Sequence, residues 1–117
     1  MEKFYVTGST AGLSHNELNL KFKPTVDKIL EMGAKCCVGV NQLITEKQSF
    51  KTLHDLRIKE IAKADCVVFF HDFKDTIESH LEFVEANRLG KHIRMVTNSD
   101  LYDIKRTIEA NRNHVLS

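Results

Sequence analysis

The sequence predicts an α/β domain of three layers, helices on both faces of a parallel sheet of four strands or, at most, five, in the flavodoxin or Rossmann style. Three observations carry this reading. Short apolar runs alternate with longer stretches of helical period in the order βαβαβαβα, which implies parallel strands joined by right-handed crossovers. The run Cys66-Val67-Val68-Phe69-Phe70 is apolar without alternation, as a strand covered on both faces requires. Finally, 117 residues support one hydrophobic core and leave no room for a second, so residues 1–117 are expected to form a single domain.

The elements follow in order. Lys3 to Thr7 reads as a buried strand, and Gly8-Ser9-Thr10-Ala11-Gly12 as the loop after it. Ser14 and Glu17 have the spacing of a capping box. Pro24 lacks the N–H that a helix interior needs, so the spacing predicts a break there, with the main helix starting near Pro24 and ending at Gly33. Lys35 to Val40 is the second strand and Asn41 to Ser49 a polar connection. Phe50, Leu53, Leu56, Ile58 and Ile61 give a helical stripe reaching Ala64. After the strand that begins at Cys66 come a helix over Thr76 to Leu89 that stops at Gly90, a strand over His92 to Thr97, and a closing helix from Asp100 to about Asn113.

Composition narrows the function. Seventeen Lys+Arg against sixteen Asp+Glu leave a formal charge of +1, without the basic excess of a general nucleic-acid binder. No apolar run is long enough to span a membrane, and the N-terminal residues lack the form of a signal peptide. Three cysteines, Cys36 and Cys37 adjacent, make a poor disulfide framework and fit a reducing, cytoplasmic setting. They fall within strands and read as small buried hydrophobes. Neither cysteines nor histidines have metal-ligand spacing, so no metal and no cofactor is expected.

Ligands of parallel sheets bind beyond the carboxyl ends of the strands, which directs attention to Gly8 to Gly12, Asn41, His71 to Thr76, and Asn98 to Asp100. The first loop can approach an anion through its glycines and amides, yet it is neither a P-loop nor a dinucleotide fingerprint, and a plain turn explains it equally. Asp75 is placed to cap the following helix, with Glu78 completing the box. Glu78, Glu82 and Glu85 share one helix face. A solvated acidic face accounts for them. The sharper alternative aims one carboxylate at the ligand as nucleophile or base, with Asp72 or Asp75 protonating a leaving group. The acids Asp72, Asp75, Glu78, Glu82 and Glu85 thus form a cluster inside a neutral total.

Three motifs in this order resemble the nucleoside 2-deoxyribosyltransferase superfamily, which includes small deoxynucleoside 5'-monophosphate N-glycosidases. They are Phe4-Tyr5-Val6-Thr7-Gly8-Ser9; then Asp55-Leu56, Ile61 and Ala64-Asp65-Cys66-Val67-Val68; then Thr76, Glu82, Ala86 and Gly90-Lys91. The resemblance spans about residues 3 to 97. It implies that Glu82 attacks or stabilises the anomeric carbon of a deoxyribose, that Thr76 binds phosphate or sugar, and that Gly8, Ser9 and Thr10 lie against the nucleotide. It also implies sites built at subunit boundaries, hence a homodimer or larger assembly. The expected activity is cleavage of an N-glycosidic bond or deoxyribosyl transfer, on a small-molecule nucleoside or nucleotide, by Glu82 with Asp72 or Asp75 assisting and Gly8, Ser9, Thr10, Asn41, His71 and Thr76 binding substrate. Two departures support an alternative, a nucleotide-binding or sensing module without turnover. Glu78 and Ser79 stand where the family has glycine, and the opening loop has no arginine, a place Lys21 or Lys23 would have to fill.

Overall fold

The computed structural model describes residues 3–96 and 106–110. Strands β1 (Lys3–Thr7), β2 (Cys36–Gly39), β3 (Cys66–Phe69) and β4 (His92–Met95) alternate with helices α1 (His15–Glu31), α2 (Phe50–Lys63) and α3 (Ile77–Arg88). Residues 106–110 are helical, and the rest of the expected closing helix, like Thr97 and Asn98 to Asp100, lies outside the described residues. The four strands form one all-parallel sheet in the order β2-β1-β3-β4. This is the predicted α/β class, a small Rossmann-like fold. No described helix is long and apolar enough to cross a membrane.

Strand β3 is buried along its whole length, whereas edge strand β4 is largely exposed. Tyr5, Val6, Val67, Phe69 and Phe70 are fully buried and form the centre of the core with Phe22 of α1 and Ile61 of α2. Phe73 stacks on Phe83 of α3 with centroids 4.4 Å apart, and Phe69 meets Phe83 edge-on at 5.2 Å. Aromatic pairs of this kind add about 0.5–1.5 kcal/mol each beyond the area they bury, and they hold α3 against the end of β3.

Helix α1 forms its capping box as the sequence predicts: the Ser14 hydroxyl accepts from the Glu17 amide at 3.2 Å, and the Glu17 carboxylate accepts from the Ser14 amide at 3.0 Å. Gly33, at φ 106°, follows its end in a conformation that side-chain-bearing residues rarely adopt. The expected break at Pro24 does not occur; α1 is continuous from His15 to Glu31 with Pro24 inside it. Pro24 is exposed, and the stripe Leu18, Phe22 and Val26 is buried on the other side. The backbone carbonyl deprived of its donor therefore lies on the wet face, while packing of the dry face carries the helix past the proline. A second expectation also needs correction: Cys36 is exposed, because it stands on an edge strand, while Cys37 and Cys66 are buried and their thiol pKa values rise, that of Cys37 to about 12, chiefly through burial.

Candidate functional site

In the order β2-β1-β3-β4 the chain turns to opposite sides of β1, so the switch point lies between β1 and β3. The loops leaving these two strands touch. A Cβ on Gly8 would lie 2.8 Å from the Phe70 Cβ and 3.0 Å from Asp72 Oδ1, an approach only glycine allows. The Ser9 amide donates to Asp72 Oδ1 at 3.1 Å. Lys21 of α1 closes the junction, its Nζ donating to Asp72 Oδ2 at 2.5 Å and to the Ser9 carbonyl at 2.6 Å. Both charged side chains of this pair are buried, and the ammonium also lies 5.2 and 5.5 Å from the ring centroids of Phe22 and Phe70.

A second buried ion pair lies on the opposite side of the sheet. Tyr5 and Thr7 project from one face of β1, as residues two apart do, and Glu82 meets them from the buried face of α3. The Tyr5 hydroxyl donates to Glu82 Oε2 at 2.5 Å, Thr7 Oγ1 donates to Oε1 at 2.7 Å, and Arg57 of α2 donates from Nη1 to Oε1 at 3.3 Å. The other arm of Arg57 donates to Thr10 Oγ1 at 3.2 Å. Glu82 is 0% and Arg57 1% exposed. Burial pushes the Glu82 carboxyl up to about 7, against the opposing pull of the Arg57 charge and the two hydroxyl donors, with the Glu78 charge adding to the rise. Burial first, and then the Glu82 charge, hold the Tyr5 phenol well above its ordinary value.

Arg57 is also the floor of a cleft of about 260 Å³ whose walls include Thr10, Phe50, His54, Thr76 and Glu78. A smaller cavity of about 180 Å³, with Ser9, Lys21, Asp72, Asp75 and Ile108 in its lining, lies beyond Ala11. Larger grooves of about 460 Å³ along α1 and about 570 Å³ between α1 and β4 contain neither Glu82 nor Asp72; of the two cavities that flank the first loop, one is lined by Asp72 and the other by Arg57, the partner through which the buried Glu82 reaches it.

Of the residues singled out from sequence, Glu82 is central, Thr10 holds Arg57, and Thr76 lines the cleft. Gly8 and Ser9 fix the loop to Asp72, which is itself neutralised by Lys21. Asp75 is exposed and does not cap α3. It ends a 3-10 turn, His71–Asp75, so the helix begins one residue later, and the Thr76 hydroxyl accepts from the Ser79 amide at 3.4 Å instead. His71 is exposed at the start of that turn and borders neither cavity. Asn41 is buried after β2, where its Nδ2 donates to Asn19 Oδ1 at 2.8 Å; it too lies outside both cavities. The expected acidic cluster is largely discharged: Asp72 pairs with Lys21, Glu82 with Arg57, and Glu85 with Arg88.

Sequence reasoning did not single out Tyr5, Thr7 or Arg57 as site residues, and it named Lys21 only as a stand-in for a missing arginine. Signals for them existed. Arg57 lies four residues after Leu53 and four before Ile61, on the apolar stripe of α2 where a cation needs a buried counter-charge. Tyr5 sits in a strand with no exposed end for its hydroxyl, so a partner inside the core was required. Among the described residues, no three of His, Cys, Asp and Glu gather so as to hold a metal ion. No curated protein and no solved structure matches the chain. Residues 2–95 match the family described as Domain of unknown function (DUF4406), and the chain belongs to that family.

Proposed function

We propose that this protein cleaves or transfers the N-glycosidic bond of a deoxynucleoside or deoxynucleotide with Glu82 as the working carboxylate. The observation that carries the reading is the Glu82 arrangement: a buried acid at the switch point, held by Tyr5 and Thr7 and joined through Arg57 to a cleft of about 260 Å³. The motif resemblance to the nucleoside 2-deoxyribosyltransferase superfamily converges on the same residue. In the reaction the carboxylate attacks C1' as the carbon–nitrogen bond breaks, and the bonding pair leaves with the base, which takes up a proton. Water or a second base then displaces the carboxylate and regenerates Glu82. Two hydroxyl donors keep the carboxylate oriented toward an oxocarbenium-like centre. Asp72, tied to Lys21, serves this reading by holding the loop, and Asp75 lines the cavity on the other side of that loop rather than the cleft beside Arg57.

A second reading, a nucleotide-binding module without turnover, draws on a specific observation: both Glu82 oxygens are already occupied by donors. Incubation of the purified protein with a panel of deoxynucleosides and their 5'-monophosphates, read as free base by chromatography, separates the two. Base release that disappears in Glu82→Ala supports the enzyme. Calorimetric binding with no base released from any member supports the module.

Self-association belongs to the same proposal. Ile77, Leu81 and Val84 are exposed at spacings of four and three on α3, next to the cleft, a stripe suited to a second copy. Light scattering at micromolar concentration should give at least twice the chain mass. A cytoplasmic location fits the three free cysteines.

A further inference from the structure

We propose that Arg57 is a latch that masks Glu82 in the free protein and is drawn aside by an oxyanion entering the cleft. This rests on the reading of Glu82 as the working carboxylate and adds what makes that carboxylate available. Glu82 receives three donors, and none of its oxygens is open to a sugar carbon. Tyr5 and Thr7 approach from the sheet at 2.5 and 2.7 Å, whereas Arg57 approaches from the cleft side at 3.3 Å. The longest contact is thus the one between the carboxylate and the cavity. Its removal leaves the two hydroxyls in place to orient the acid.

The guanidinium is loosely held for a buried charge. Its second arm reaches Thr10 at 3.2 Å, and its buried Nε has no hydrogen-bond partner among the described residues. A buried donor left without a partner is costly, so an acceptor within reach has a ready partner here. The cleft suits a negative acceptor. Ser49 and Thr76, the N-caps of the fourteen-residue α2 and the twelve-residue α3, both line it, and helix N-termini favour anions. A tetrahedral oxyanion can satisfy a guanidinium in bidentate fashion, which a neutral Thr10 hydroxyl cannot. Glu78 on the same wall opposes the anion and sets its affinity. The shared chemistry is a phosphoryl or sulfuryl oxygen, supplied either by the substrate as a 5'-phosphate or by a free ion.

Sulfate is the probe, because it does not consume a carbodiimide. Carboxyls of the intact protein are labelled with a water-soluble carbodiimide and an amine, and the Glu82 peptide is quantified by mass spectrometry with sulfate or with chloride at equal ionic strength. Glu82 labelling should rise about tenfold with sulfate, the response to a roughly tenfold preference of the ion for the open state. In Glu78→Gln the half-maximal sulfate concentration should fall. In Thr10→Val, which removes the outer anchor of the guanidinium, labelling should be raised before sulfate is added. Arg57→Gln should label strongly with or without sulfate, and Thr10→Val carries the test if that variant does not fold. Labelling of Glu82 that sulfate leaves unchanged, or a midpoint unmoved in Glu78→Gln, overturns the latch. A kinetic arm distinguishes the source of the anion: a deoxynucleotide cleaved without added ion points to its own phosphate, and a deoxynucleoside cleaved faster with sulfate points to a free ion. Base release from deoxynucleosides, unresponsive to sulfate, with unchanged labelling rejects the latch and keeps the enzyme. Sulfate-dependent labelling without base release from any substrate keeps the latch and rejects the enzyme.

Discussion

Glu82→Gln tests the electrostatics around the buried carboxylate directly. An ordinary glutamate ionises near 4.5, and in the folded protein burial pushes Glu82 up to about 7 despite the opposing Arg57 charge and the Tyr5 and Thr7 donors. Between those two values the folded state keeps a proton that the unfolded state has released. The sign follows: this group favours the fold fully below 4.5, and its contribution is lost as pH rises through about 7. At about 1.4 kcal/mol per pH unit, the gap amounts to about 3 kcal/mol. Glutamine does not titrate, so the stability of the native protein minus that of the variant should fall by about 3 kcal/mol from about pH 4 to about pH 8. Chemical denaturation followed by far-ultraviolet circular dichroism at stepped pH gives this difference, and taking it cancels groups that titrate alike in both proteins. A difference flat to about 0.5 kcal/mol over the range would refute the raised pKa. One that grew with pH would mean that Arg57 outweighs burial and that the carboxyl is held below its ordinary value.

Two further outcomes are expected. Lys21→Met strands the Asp72 carboxylate and removes the donor to the Ser9 carbonyl, so it should destabilise the fold by about 3–5 kcal/mol; a loss under about 1 kcal/mol in urea titration would deny the pair its role at the loop junction. Pro24→Ala restores a backbone donor to the middle of α1, offset in part by greater freedom of the unfolded chain, and should stabilise by about 2 kcal/mol in a thermal melt; no gain would mean that α1 has already adapted fully to the proline.

The fold was legible because each of its signals is local. The apolar run at Cys66 to Phe70, the Ser14–Glu17 box and the glycines after α1 and α3 each specify backbone within a few residues. Pro24 misled for the complementary reason. The local penalty is real, but the packing of Leu18, Phe22 and Val26 that outweighs it is a property of the assembled layers. The candidate site divides along the same line. Glu82 could be found because it falls in a motif on one helix. Its partners come from β1 and α2, at separations of 77, 75 and 25 residues for Tyr5, Thr7 and Arg57, and a single sequence carries no direct sign of such pairings. The acidic cluster failed as an expectation for that reason too: the cations that discharge Asp72 and Glu82 lie on α1 and α2, far from them in the chain.

The two buried ion pairs have a common object. Lys21 and Asp72 hold the Ser9 carbonyl and amide, and Arg57, paired with Glu82, holds the Thr10 hydroxyl. Consecutive residues of the first loop are thus fixed from opposite faces of the sheet by charges on α1, the β3 loop, α2 and α3. Stability alone does not call for this, since apolar residues of the same volume would serve a core as well as or better than buried ion pairs. What charges provide and apolar packing does not is direction. They set the loop at the switch point in one conformation, with its threonine beside the cleft and its glycine against Phe70. The pairs differ in tightness in the way a fixed point and a moving part would. The Lys21 contacts are 2.5 and 2.6 Å, while both Arg57 contacts exceed 3 Å and one of its donors is unused. A loop anchored at Ser9 and released at Thr10 lets the guanidinium move without disturbing the junction of β1 and β3. The neutral total of the sequence therefore has a local counterpart: Asp72 is matched by Lys21 and Glu82 by Arg57, and under the proposed function the second match is the one that is undone.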